Sequence, residues 1–176
     1  MNVKEILLIF CQYGFRKASM EDIARAADLS RQSIYKKFGS KEGVFEWAVE
    51  TAAAASCAHA LEALSDPKLD VRERIAEAFD RWIGGFVPVI HNTPHGTEML
   101  ERASEMAASG RSTTEAKFYQ AVTRTLLETG CASNMEKADD LTFVLALVGK
   151  GLLLRSDTQE TFRKDFERVT ATLIAK

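Results

Sequence analysis

Apolar positions recur with the period of an α-helix almost from the first residue. Val3, Ile6, Leu7, Phe10 and Gly14 fall at i, i+3, i+4, i+7 and i+11, one stripe of an amphipathic helix that Gly14 is expected to close. Ser19 is placed to cap a second helix carrying Met20, Ile23, Ala24 and Ala27, with Asp22 favouring its N-terminus. After a break at Asp28 and Leu29, Ser30 is placed to cap a third helix that runs to Phe38 and stops at Gly39. Ser40 then opens a fourth, with Val44, Phe45, Trp47, Ala48 and Ala52 on its apolar side, continuing through an alanine-rich stretch to Leu64. Asp66 and Pro67 end it.

The remainder predicts further helices. Ile75, Phe79, Trp82, Ile83 and Phe86 share a face within 70–90, weakened towards its end by Gly84, Gly85 and Pro88. Residues 91–96 read as a loop. Helices are then expected over 97–109, 112–129, 135–155 and 157–176, with breaks at Gly110 and Gly130. No alternating run supports a strand. The expected fold is all-α, about nine helices, with a domain at 1–45 and a larger one at 46–176.

Composition narrows the classes. The chain has 176 residues, 46% hydrophobic and 27% charged, an ordinary globular balance rather than a disordered one. The three cysteines, Cys11, Cys57 and Cys131, form no CxxC pair and imply no disulfide framework, so a reducing, cytoplasmic setting is expected. The N-terminus lacks the form of a signal peptide, and no apolar run is long enough for a membrane span. The net charge of −2 divides unevenly. Residues 1–41 hold eight Lys and Arg against four acids, leaving the other 135 residues with 15 basic and 21 acidic side chains. A basic head on an acidic body points to a polyanionic partner for the head alone.

The chemistry concentrates at 19–41. Two short helices joined by a tight turn make a helix-turn-helix. Ala24 is small where the helices cross, Ile23, Leu29, Ile34 and Phe38 are spaced to fill a miniature core, and Asp28 tolerates the left-handed backbone such a turn needs. The second helix turns Arg31, Gln32, Ser33, Tyr35, Lys36 and Lys37 away from Ile34 and Phe38, presenting donors suited to phosphates and base edges in a major groove.

Residues 14–44 resemble the DNA-binding region of the TetR/AcrR family of bacterial repressors. The matching positions are Gly14, Phe15, Ser19, Asp22, Ile23, Ala24, Ala27, Ser30, Ile34, Tyr35, Phe38, Ser40, Lys41 and Glu42, and the run from Tyr35 to Glu42 is the sharpest part. The chain departs from the family pattern at Asp28 and Gln32, where glycine is usual, and at Lys37, where histidine is usual. The resemblance implies operator contacts by Ser19, Arg31, Gln32, Ser33, Tyr35, Lys36, Lys37 and Lys41. Tyr35 and Lys41 are expected on phosphates, and Gln32 either adds a base contact or alters the docking depth.

The resemblance also implies a body that binds a small-molecule effector and forms a homodimer. Trp82, Phe86, His91, His95, Met99, Phe118 and Tyr119 are the candidate pocket residues, and a mostly apolar effector suits them. The stripes Leu141, Val144, Leu145, Val148, Leu152 and Phe162, Phe166, Val169, Leu173 are the candidate dimer face. No cofactor, metal or catalytic set is expected. His91 and His95 lie in a loop without a third ligand of diagnostic spacing. The resulting expectation is a ligand-responsive repressor bound to double-stranded operator DNA. The alternatives are a thiol- or metal-responsive regulator on the same scaffold, or a helical-bundle enzyme.

Overall fold

The computed structural model describes residues 1–109 and 113–174. The breaks and helix ends expected at Gly110, Ser112 and Lys176 lie outside the described residues. Ten α-helices and no strand occur among those described. They are α1 (Val3–Lys17), α2 (Met20–Ala26), α3 (Arg31–Phe38), α4 (Lys41–Leu64), α5 (Val71–Trp82), α6 (Val87–His91), α7 (Gly96–Ala108), α8 (Thr114–Glu128), α9 (Met135–Arg155) and α10 (Gln159–Leu173). A turn of 3-10 helix at Gly84–Phe86 separates α5 from α6, where one weakened helix is expected from the sequence. Pro88 is tolerated because it lies in the first turn of α6. No described helix is long and apolar enough to cross a membrane.

The chain packs as two compact units: Met1–Ala54 with Val89–Thr113, and Ala55–Pro88 with Thr114–Lys176. The first is therefore larger than the 1–45 head expected from the sequence, because α7 packs against α1. Its core gathers Ile6, Phe10, Phe15, Ile23, Ala24, Ala27, Ile34, Val44, Phe45 and, from α7, Met99. The Phe10, Phe15 and Phe45 rings meet at centroid distances of 5.2–5.7 Å. Ser19 caps α2 by accepting from Asp22 N (3.1 Å), and Ser30 caps α3 by accepting from Ser33 N (3.1 Å). Asp28 takes the left-handed conformation at φ 53°. Leu29, expected in the miniature core, instead stands 38% exposed beyond that turn.

Gly14 does not end α1 but kinks it, at φ 75° and ψ 157°, a conformation essentially reserved for glycine. The kink admits the His95 ring: a Cβ at Gly14 would lie 2.9 Å from its Nδ1. His95 N donates to Cys11 O (2.9 Å), and its Nδ1 lies 2.9 Å from Glu98 Oε2. Gly14→Ala is thus expected to destabilise the protein by about 1–3 kcal/mol from backbone strain alone. Urea unfolding of the variant measures it, and His95→Ala in the same chain is not expected to restore the loss.

In the second unit, Asp70 and Glu73 form a reciprocal cap on α5. Phe79, 0% exposed, centres the core: its ring lies 4.4 Å from Phe166 and 5.2 Å from Phe118. α8 and α9 are joined by Thr123 Oγ1 donating to Thr142 Oγ1 (2.9 Å), which in turn donates to Ala138 O (2.8 Å). Gly84 is required because a Cβ there would sit 2.5 Å from Asp80 Oδ1 and 2.8 Å from the Phe162 ring.

Four of the nine candidate dimer-face residues belong inside the subunit. Leu145, Leu152, Phe162 and Phe166 are buried in this core. Leu141, Val148, Val169 and Leu173 are half-buried, and only Val144 is exposed. The apolar face that α9 leaves open carries Phe143, Leu147 and Leu154 instead.

Burial raises the carboxyl pKa of Asp80, an effect opposed by Gln159, whose Nε2 donates to both carboxylate oxygens (3.2 and 3.1 Å), and by Arg163. A raised pKa in the fold means that Asp80 supports stability most below the ordinary carboxyl range and less as pH rises through the raised value. Asp80→Asn removes this dependence. The stability of the variant relative to the unaltered protein is expected to increase between pH 4 and pH 7, as read by denaturant titration across that range.

Candidate DNA-contacting surface

Every side chain of α3 except Ile34 and Phe38 is exposed: Arg31, Gln32, Ser33, Tyr35, Lys36 and Lys37 together form its outer face. Ile34, fully buried, anchors the opposite side. The Arg31 guanidinium lies 5.6 Å from the Tyr35 ring centroid, so the two are held as a pair. The Lys37 ammonium lies 5.4 Å from the Phe38 ring and 5.8 Å from Trp47, at the end of α3 nearer α4.

Beside this face lies a groove of about 500 Å³ lined by Ser19, Arg31, Tyr35, Gly39, Ser40 and Lys41. It brings together four sequence-predicted residues, Ser19, Arg31, Tyr35 and Lys41, from two helices and a cap. Ser40 Oγ accepts from Gly43 N (3.1 Å) at the start of α4, where unpaired backbone N–H groups favour anions. The hydroxyls of Ser19 and Ser33 already have partners: Ser19 Oγ donates to Asp22 Oδ2 (2.6 Å), and Ser33 Oγ lies 2.8 Å from Ser30 Oγ.

Lys41 is employed differently from the phosphate contact expected of it. Its Nζ donates to Arg16 O (3.1 Å) and Ala18 O (3.0 Å), capping the C-terminal end of α1, and lies 5.1 Å from the Phe15 ring. Gly43 was not singled out by the sequence. A Cβ there would sit 2.3 Å from Phe38 O, so glycine permits the close approach of α4 to the end of α3. Its place within the first turn of α4, with no positive φ to demand it, leaves no local signal.

The candidate pocket residues divide between the units. His91, His95 and Met99 lie in the first: Met99 is in the core, and His95 is seated on Gly14. Trp82, Phe86, Phe118 and Tyr119 lie in the second. There Trp82 stacks on Phe118 at 5.1 Å, and Tyr119 meets Phe118 tilted at 5.5 Å. A groove of about 660 Å³ runs between α8 and α9 in that unit, lined by Tyr119, Thr123, Arg124, Phe143, Ala146 and Leu147 among others. The Tyr119 hydroxyl is shielded from water, with Glu115 and Trp82 as its polar neighbours. Burial first, then the Glu115 carboxylate, push its pKa above the ordinary phenol range. Burial likewise raises the thiols of Cys11 and Cys57, against Thr93 and Lys117 respectively, away from a reactive thiolate. No group of three or more His, Cys, Asp or Glu suited to a metal occurs among the described residues.

Residues 7–48 match the family model described as bacterial regulatory proteins, tetR family. Comparison with curated proteins finds no match. Solved structures match over nearly the whole chain. A TetR transcriptional regulator from Legionella pneumophila is 22% identical, with a TM-score of 0.66, over 99% of this chain and 98% of that one. A TetR-family regulator from Rhodococcus sp. is 17% identical, with a TM-score of 0.69, over 98% and 96%. A transcriptional regulator from Saccharomonospora viridis in complex with choline is 16% identical, with a TM-score of 0.67, over 99% and 95%. These likenesses establish the shared fold, and the match at 7–48 falls on the helix-turn-helix built by α2 and α3. Residues 7–48 thus carry the DNA-binding region that the tetR family model describes, and the whole chain has the fold of the TetR-family regulators compared with it.

Proposed function

We propose that the protein is a homodimeric, cytoplasmic repressor that holds operator DNA through α3 and releases it when a small molecule binds the body. The observation that carries the DNA-binding half is the exposed polar face of α3, seated on buried Ile34 and flanked by the Ser19–Tyr35–Ser40 groove. Arg31 and Gln32 are the base-reading residues in this reading, at the N-terminal end of the recognition helix. Tyr35, Lys36 and Lys37 lie along the phosphates, and the Ser19 and Ser33 hydroxyls meet phosphate as secondary contacts. Lys41 acts on DNA indirectly, by fixing α1 against α4. Two-fold symmetry then calls for a near-palindromic operator with half-sites one helical turn, about 34–36 Å, or a multiple of it apart.

The effector half rests on the second unit. Tyr119 lines the α8–α9 groove, and Phe143, Ala146 and Leu147 make much of its wall apolar. The S. viridis regulator, of the same fold, is in complex with choline, which supports a small-molecule effector for this chain too. An effector releases DNA only through a preference for the conformation that binds DNA poorly, and a coupling of about 1–3 kcal/mol is usual.

The test starts with selection of duplexes from a randomised pool by the purified protein, followed by anisotropy titration. Nanomolar binding to a near-palindrome supports the reading. Selection that yields no enriched sequence discards operator recognition. Apolar and amphipathic compounds are then screened by the fluorescence of Trp47 and Trp82. A saturating ligand that leaves operator affinity unchanged discards the effector switch.

A further inference from the structure

Gly14 divides α1 into two pieces. Its φ of 75° and ψ of 157° lie outside the helix, so the residues before it do not set the direction of the last turn, Phe15 to Lys17. That turn is aimed by what packs against it. It leads directly into Ser19, the cap of α2, which lines the groove beside α3 together with Arg31, Tyr35 and Lys41.

One stripe at the start of α7 meets the kink and the turn after it. His95, Glu98, Met99 and Arg102 stand at i, i+3, i+4 and i+7. Met99 is buried in the core of the same unit, and the His95 ring sits against Gly14. His95 Nδ1 lies 2.9 Å from Glu98 Oε2, and Glu98 Oε1 lies 3.7 Å from Arg102 Nε. The Arg102 guanidinium is over the Phe15 ring, with Cζ 4.2 Å from the centroid. At that distance a planar cation rests on the ring face.

Phe15 also meets a second cation. Lys41 Nζ is 5.1 Å from the ring centroid and donates to Arg16 O (3.1 Å) and Ala18 O (3.0 Å), the carbonyls that follow Phe15. The ring is buried against Phe10 and Phe45, so the surrounding core leaves its displacement little room. A shift of Phe15 therefore moves the carbonyls that Lys41 holds, and Lys41 is itself a wall of the groove. Arg102 does not line that groove; its route to it runs through Phe15.

We propose that Arg102 is a positioning residue for operator binding. Its guanidinium, oriented by Glu98, holds the Phe15 ring, and through it the last turn of α1, where Ser19 and Lys41 stand correctly beside α3. This inference rests on the operator reading above and adds to it a residue remote from the DNA-contacting face.

Arg102→Met keeps the aliphatic stem and removes the cation. In the intact chain it is expected to weaken binding to a duplex selected by the unaltered protein by about fivefold or more. The active fraction in a stoichiometric titration and the salt slope are expected to stay unchanged, since no phosphate contact is lost. Arg102→Lys is expected to recover most of the loss. In a Phe15→Leu background, Arg102→Met is expected to cost less than about twofold more, because the two side chains act as one unit. A further readout needs neither the core variant nor DNA. Hydrogen exchange at the amides of residues 16–19 is expected to quicken about threefold or more in Arg102→Met, and not in Arg168→Met on α10. Affinity within about twofold of the unaltered protein, an equal loss in both backgrounds, a loss confined to the active fraction, or unchanged exchange each overturns the positioning role and leaves operator recognition standing. Selection that enriches no duplex overturns both.

Discussion

Replacing Arg31 with alanine is expected to cost about 1–3 kcal/mol of operator affinity, a roughly fivefold to 150-fold loss, and to relax preference at the base it reads. Arg31 is exposed at the first position of α3, and Tyr35 one turn on lies beneath its guanidinium at 5.6 Å. A planar group so oriented suits the two acceptors of a guanine edge. Arg31→Lys is therefore not expected to restore the affinity, because an ammonium lacks the bidentate fork. Lys36→Ala supplies the contrast. Its loss is expected to be uniform across sequences and to flatten the salt slope by about one. Lys41→Met separates a third behaviour: its ammonium holds Arg16 O and Ala18 O, so the variant loses stability of the first unit while the salt slope of the folded fraction is unchanged. Anisotropy titrations of the three variants at four salt concentrations distinguish them. Arg31→Ala with unaltered affinity and sequence preference removes base reading from this helix.

Much of the first unit was legible because its signals are local. Ser19 and Ser30 cap helices through atoms three residues away, and Asp28 signals its left-handed turn by identity alone. The docking of His95 into the Gly14 kink joins residues 81 apart in the chain, and no periodicity predicts it. The open face of α9 was misplaced for another reason. From Leu141 to Gly149 apolar residues occupy almost every position, so period fixes the helix but not its rotation. Tertiary packing then selects Leu145 for the core and leaves Phe143 outside. On α10, Phe162 and Phe166, expected on the dimer face, cover α5 of the same chain, a choice that amphipathicity alone does not make. The pocket residues suffered similarly: large aromatics at helical spacing mark a filled core as readily as a cavity wall, and Trp82 and Phe118 are stacked in the former.

Truncating Phe79 to alanine is expected to be the most destabilising change in the second unit, at about 3–5 kcal/mol. The ring is fully buried and stacks on Phe166 at 4.4 Å, meets Phe118 edge-on at 5.2 Å, and abuts Gly149, whose missing side chain lets α9 approach it. Three helices, α8, α9 and α10, therefore converge on one side chain of α5, and a cavity there has no flexible neighbour to fill it. Total stabilities of single-domain proteins run to about 5–15 kcal/mol, so the loss consumes a large share. Its functional consequence follows from symmetry rather than contact. Phe79 lies in a different unit from α3, so the recognition helix keeps its sequence and its buried Ile34. On the homodimer reading proposed above, a loosened second unit no longer holds a partner copy, and one head then binds a half-site without the second to hold it. The expected result is operator affinity falling towards that of a single half-site, while the affinity for an isolated half-site changes little. Phe79→Leu, which restores most of the volume, is expected to recover both dimerisation and full-operator binding. Denaturant unfolding, sedimentation and paired titrations on full and half operators measure the three effects together. If Phe79→Ala unfolds normally late and dimerises, the convergence of helices on this ring does not hold the unit; if it is monomeric yet binds the full operator as tightly as before, the two heads do not act as a pair.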